Sequence, residues 1–223
     1  MVGRFEVVSD NSKEVGRVDR RGELWSLGLF VGLGLAMGAT AKWLGAFTRW
    51  DSWVSDVLGV LGNLGSGFGV WIFVGVLIVM MAGSAKWAAA KVPAFLFAML
   101  LAYYVVSVVM VDYLVWRIVL GWGFFAVMSG VGAYLLWNSM RGERRVDWVV
   151  TALPIGMVLA HMVPAYRMWR SEFLLQVVFV VILLLVMKRK KEERLRLLAW
   201  SVGVGILLVP VYGLVFEWLL GLL

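Results

Sequence analysis

Ionisable side chains within long apolar stretches are the residues of this sequence best suited to chemistry. Arg117, His161 and Glu217 each occur in such a stretch. A charge in hydrocarbon costs about 3 kcal/mol at a helix centre on insertion scales, so a retained charge usually serves a ligand, an ion or an opposite charge. The predicted ligand-binding residues are therefore Arg117, His161, Glu217, Tyr104 and Asp112.

Together these groups have the chemistry of an anion site. Arg117 would bind the anion, Glu217 would neutralise Arg117 when the site is empty, and His161 would donate a hydrogen bond or respond to protonation. An alternative stays open, in which Arg117 and Glu217 extend along their aliphatic stems to lipid headgroups and form no pocket.

Metal and catalytic sites find little support. The chain has no cysteine and one histidine, which excludes thiolate and multi-histidine metal centres. No Gly-x-Ser-x-Gly or His-Glu-x-x-His motif occurs, and no nucleophile is matched to His161. We therefore expect no metal or cofactor and favour a protein that is not an enzyme, with a lipid-modifying enzyme as the remaining catalytic hypothesis.

The composition is that of a membrane protein. Of the 223 residues, 62% are hydrophobic and only 16% are charged, and the mean hydropathy is +0.90. A soluble domain is about half apolar and about one quarter charged. The net charge of +7 fits the enrichment of basic residues in cytoplasmic loops, so the expected partner is the lipid bilayer and not nucleic acid.

Seven stretches are long and apolar enough to predict membrane-spanning helices. The expected fold is an all-α polytopic transmembrane bundle over residues 23–223, preceded by a polar cytoplasmic tail at 1–22. The predicted spans are 24–44, 66–84, 88–111, 113–137, 148–166, 172–187 and 197–222.

The distribution of basic residues predicts the orientation. Five lie in the N-terminal tail, two in the second loop (Lys86 and Lys91), three in the fourth and six in the sixth, so one side holds 16 of the 21. The N-terminus is therefore predicted in the cytoplasm and the C-terminus outside the cell membrane. Tyr104, Arg117, His161 and Glu217 are predicted in the outer parts of their spans and Asp112 at the outer corner between the third and fourth spans, whereas the inner ends are expected to be apolar or small.

The segment 46–61 has a different pattern. Phe47, Trp50, Val54 and Leu58 recur at helical spacing, with charged residues on the other faces. This pattern predicts an amphipathic helix that lies along the outer membrane surface.

Small residues follow one face of the first span at intervals of four: Gly28, Gly32 and Ala36. Such a face lets another helix approach closely, either within the same bundle or in a partner subunit. The face resembles the alanine-rich first helix of the substrate-binding subunits of energy-coupling-factor transporters. That resemblance implies a transport component that binds a small solute and has no ATPase of its own.

A second resemblance concerns residues 95–122, FLFAMLLAYYVVSVVMVDYLVWRIVLGW. A tyrosine pair in one span, followed by Trp116 and Arg117 in the next, is similar to an uncharacterised family of small bacterial polytopic membrane proteins. The resemblance implies a bacterial plasma membrane protein and no particular activity.

Two function hypotheses follow. The first is a transport component that binds a small solute from outside, which is favoured by the outer position of the polar residues and by Pro154 and Pro210 within spans. The alternative is a membrane scaffold or sensor whose basic cytoplasmic loops bind a membrane or cytoplasmic protein partner.

Overall fold

Apolar chain in lipid must satisfy its backbone hydrogen bonds internally, and helices do this within one segment. In the computed structural model of the protein, each of the seven predicted stretches forms an α-helix, at nearly the predicted bounds. The helices are α1 Arg20–Ala46, α2 Phe68–Met81, α3 Ala85–Val111, α4 Trp116–Ser139, α5 Arg145–Met168, α6 Arg170–Met187 and α7 Lys191–Leu220.

The structure describes residues 20–46, 62, 68–111, 115–142, 144–168, 170–187 and 191–220. Residues 1–19 of the predicted tail lie outside these ranges. So do residues 47–61, which make up nearly all of the predicted surface helix.

Four described helices are long and apolar enough to cross a membrane: α1, α3, α4 and α7. The apolar parts of α2 and α6, Gly69–Met81 and Phe173–Met187, are shorter. The protein therefore has the helices of a multi-pass membrane protein, with four spans by these criteria where the sequence predicted seven.

Contacts between the helices define two ends of the bundle. Consecutive helices alternate in direction, so α1, α3, α5 and α7 begin at one end and α2, α4 and α6 begin at the other. We call the first the Glu23 end, after a residue in the first turn of α1. We call the second the Gln176 end, after a residue in the first half of α6.

Glycines set the closest helix contacts. Gly34 and Gly38 of α1 lie directly against the backbone of α3 at Phe95 and Met99. In the same way, a Cβ on Gly205 of α7 would lie 3.2 Å from the carbonyl oxygen of Gly156 in α5. The structure thus contains two closely packed pairs of parallel helices, α1 with α3 and α5 with α7.

The predicted packing face of α1 makes no close helix contact among the described residues. Gly28, Gly32 and Ala36 are exposed, and no described atom lies within 4 Å of a Cβ built on Gly28 or Gly32. Within the described residues, Gly34 and Gly38 pack against α3 from another side of the helix, so packing of this face within the bundle stays a prediction. Binding of a partner subunit to the exposed face stays a prediction.

The interior is a continuous cluster of apolar side chains from α2 to α7. Its members are largely aliphatic and are joined by Phe95, Met99 and the indole of Trp71. Because α2 packs against α3, α4, α5 and α6, this short helix is the centre of the bundle.

Candidate functional site

Of the predicted ligand-binding residues, Tyr104, Arg117 and His161 are described, and all three lie toward the Gln176 end. Arg117 is in the first turn of α4 with an exposed side chain, so it lies at the surface and not in the interior. His161 of α5 is partly buried. Asp112 and the side chain of Glu217 lie outside the described part of the chain, so the proposed charge pair of Arg117 and Glu217 stays a prediction.

Tyr104 belongs to an aromatic and cationic cluster that links α1 to α3. Its ring packs edge-on against Tyr103, with centroids 5.4 Å apart. The ammonium group of Lys42, near the end of α1, lies 5.3 Å from the centre of the Tyr103 ring. This cation–π contact adds Lys42, which the sequence analysis did not select, to the polar groups of the Gln176 end.

Gln176 is the most informative polar residue of this end. It is 2% exposed, and its Oε1 atom is the only fully buried side-chain nitrogen or oxygen of the described residues that has no hydrogen-bond partner. A buried acceptor without a partner costs about 1–3 kcal/mol. The Oε1 atom of Gln176 can therefore accept a hydrogen bond from an ordered water or from a solute.

The neighbours of the Gln176 side chain come from α2 and from the next turn of α6. Gly69, in the first turn of α2, packs beside this side chain, and a Cβ there would make an ordinary contact 3.4 Å from Cγ of Gln176. One turn deeper, Phe73 and Phe179 stack with centroids 4.6 Å apart and an interplanar angle of 18°. The amide thus lies between α2 and α6, one turn from a stacked aromatic contact.

An ion pair is buried at the opposite end. The ammonium group of Lys91 in α3 donates to Oε2 of Glu23 in α1, and the backbone N–H of Gly83 donates to Oε1 at 2.8 Å. Lys91 is 1% exposed, with its ammonium group 5.7 Å from the Phe30 ring and 6.0 Å from the Trp87 ring. The two charges therefore tie the start of α1 to α3 and to the turn after α2.

This pair corrects two sequence predictions. Lys91 was assigned to a loop, but it lies in the second turn of α3 and is buried. The helix ends that the sequence predicted to be inner were expected to be apolar or small, but they contain Glu23, Lys91 and Asp147 as buried charges. Glu23 and Lys91 are 68 positions apart in the sequence, so no local spacing pointed to their contact.

Asp147 organises the start of α5 at the same end. Its carboxylate accepts a hydrogen bond from the backbone N–H of Arg144 at 3.0 Å and a weaker one from the guanidinium of Arg144 at 3.3 Å. Gly142 leaves the space that this carboxylate occupies. The arrangement stabilises the turn between α4 and α5, so Asp147 has a structural role there.

No protein-family model, curated protein or solved structure matches the chain. Inferences about function therefore rest on the arrangement of Gln176 at one end of the bundle and of the buried charges at the other.

Proposed function

We propose that the protein is an integral membrane component of a transport process that binds a small solute from the outer side and has no ATPase of its own. The observation that carries the proposal is the unpartnered Oε1 of Gln176 in the apolar interior. Its distance from the start of α6 corresponds to about 9 Å of helix at 1.5 Å per residue, within reach of a solute that enters from the Gln176 end.

The arrangement of the helices supports this proposal. Two long parallel helices and a shorter returning helix occur on each side of α4: α1, α3 and α2 before it, and α5, α7 and α6 after it. Gln176 lies where the two short helices meet. Transporters often bind solute between such halves, whose relative movement gives access from either side of the membrane.

We also propose the finer topology, with seven spans, a cytoplasmic N-terminus, an outer C-terminus and a surface helix at 46–61. The exposed basic side chains of Lys86, Arg141 and Arg145 at the Glu23 end support a cytoplasmic position for that end. His161, Tyr104 and Lys42 then contribute to the outer solute site, together with Arg117 at its rim.

Ligand-dependent stability tests the proposed function. Amino acids, nucleosides and water-soluble vitamins are compared at equal concentration for their effect on the unfolding temperature of the purified protein in mild detergent. We expect one class to raise this temperature by several degrees, because ligand at a hundred times its Kd stabilises a protein by about 2.7 kcal/mol.

Two variants test whether a ligand-dependent rise in unfolding temperature comes from binding at Gln176. Gln176→Leu should remove it, because the buried acceptor is lost. Ser201→Ala should keep it, since the Ser201 hydroxyl is also fully buried but already donates to the carbonyl oxygen of Leu197 at 2.7 Å. If every solute shifts wild type and Gln176→Leu equally, the proposed site is wrong.

The scaffold or sensor hypothesis is the second candidate, and the continuous apolar interior favours it. In that case Gln176 binds only water, and function lies in the basic Glu23 end and the exposed face of Gly28, Gly32 and Ala36. The solute comparison separates the two candidates, because a scaffold needs no selective solute.

A further inference from the structure

Charge is segregated at the Glu23 end of the bundle. The carboxylates of Glu23 and Asp147 are buried and occupied by internal contacts, whereas the side chains of Arg144, Arg145 and Arg196 are exposed. The described surface there consequently carries more basic than acidic side chains.

One arginine lies over a tryptophan at this end, and two more are close to that tryptophan in the sequence. The guanidinium of Arg196, near the start of α7, lies 5.4 Å from the centre of the Trp148 ring in α5. Arg144 and Arg145 precede Trp148 by four and three residues, a spacing that puts side chains on the same face of a helical turn. We call this group, Arg144, Arg145, Trp148 and Arg196, the α5–α7 basic cluster.

The cluster has the chemistry of a phosphate site at a membrane surface. Tryptophan is typical of the headgroup region, and a guanidinium over its ring keeps its N–H groups free for phosphate oxygens. Asp147 occupies the start of α5, so side chains and not helix amides supply the donors. Nε of Arg144 lies 3.3 Å from Oδ2 of Asp147, so part of this guanidinium is already paired. Arg145 and Arg196 are therefore the main hydrogen-bond donors for a phosphate.

We infer that the α5–α7 basic cluster binds the phosphate of an anionic phospholipid headgroup and thereby strengthens the packing of α5 against α7. Charge complementarity and the position of Trp148 at the end of two apolar helices select a lipid over a soluble anion. Glu192 opposes this binding, because it precedes Arg196 by one turn on the same face of α7.

A lipid titration tests this inference. Phosphatidylglycerol or phosphatidylcholine with identical acyl chains is added to the purified full-length protein in neutral detergent, and the concentration for the half-maximal rise in unfolding temperature is measured. Phosphatidylglycerol should act at a much lower concentration. The double variant Arg145→Gln/Arg196→Gln should need roughly thirtyfold more, since each arginine near an anionic surface contributes a factor of about five.

Matched variants separate a site from general positive charge. Arg141→Gln removes one positive charge at the same end. Arg141 follows α4, and its guanidinium already donates to the carbonyl oxygen of Trp137 at 3.0 Å, so the lipid midpoint should hardly change. Glu192→Gln should lower the midpoint. All these residues are exposed, so the variants should unfold at the wild-type temperature without lipid.

Three outcomes would overturn the inference. Equal midpoints for the two lipids would exclude headgroup recognition, and an equal loss in Arg141→Gln would exclude a localised site. Stabilisation by glycerol 1-phosphate or polyglutamate without a preference for phosphatidylglycerol would identify a soluble phosphate ester or an acidic protein partner instead.

Discussion

Lys91→Met should lower the free energy of unfolding by about 3–5 kcal/mol, the usual cost of leaving one member of a buried ion pair without its partner. The substitution keeps a long apolar stem but removes the ammonium group that faces Glu23. The unfolding temperature in mild detergent, followed by tryptophan fluorescence, measures the loss. Glu23→Gln should be similarly harmful, because it leaves Lys91 as a buried cation.

The combined variant Glu23→Gln/Lys91→Met makes this prediction specific. It removes both charges and should recover most of the lost stability, because apolar or neutral replacements of a whole buried pair are often nearly neutral. Lys86→Met is the matched control, since Lys86 is exposed five residues earlier on the chain. The prediction is contradicted if the losses of unfolding free energy add in the combined variant, or if Lys86→Met loses as much as Lys91→Met. Either result would show that the Glu23–Lys91 pair does not stabilise the packing of α1 on α3.

Gly38→Ala should be the second severe change. A Cβ at this position would collide with the carbonyl oxygen of Met99 and lie 2.9 Å from its carbonyl carbon. These are backbone atoms, so relief requires that α1 move away from α3. Overpacking of this kind costs about 1–3 kcal/mol, sometimes more, and the unfolding temperature should fall accordingly.

Gly32→Ala provides the opposite expectation on the same helix. No described atom lies within 4 Å of its added Cβ, and alanine favours a helix interior over glycine by up to about 1 kcal/mol. The variant should thus be neutral or slightly stabilised. If Gly32→Ala destabilises the isolated protein more than Gly38→Ala, the assignment of the packing face to Gly34 and Gly38 is wrong.

Helix positions were predictable because apolar length is a local property of the sequence. The seven predicted stretches match the seven helices of the described residues, with bounds that differ by at most six residues. The packing face of α1 was not predictable in the same way, because glycines occur on more than one side of the helix. Gly28 and Gly32 have the same four-residue spacing as Gly34 and Gly38, yet Gly34 and Gly38 are the ones that meet α3.

The polar residues show a similar limit. Sequence selected charged groups within apolar stretches and so found His161 and Arg117, but it passed over Gln176, a neutral side chain whose importance comes from burial without a partner. It also treated Lys91 as a loop cation, since the contact with Glu23 depends on the parallel packing of α1 and α3. Charge and hydropathy can be read directly from the sequence. Which side chains contact each other across the bundle can be known only from the fold.

Accessibility of position 176 tests the central claim most directly. The chain has no cysteine, so a single Gln176→Cys variant can be treated with a membrane-impermeant cationic thiol reagent on either side of the membrane. Ser201→Cys, at another fully buried position, is the control that should stay unmodified. Solute entry from outside predicts modification of Gln176→Cys by reagent on the outer side; modification from the cytoplasmic side alone, or none from either side, would contradict the proposed outer binding site.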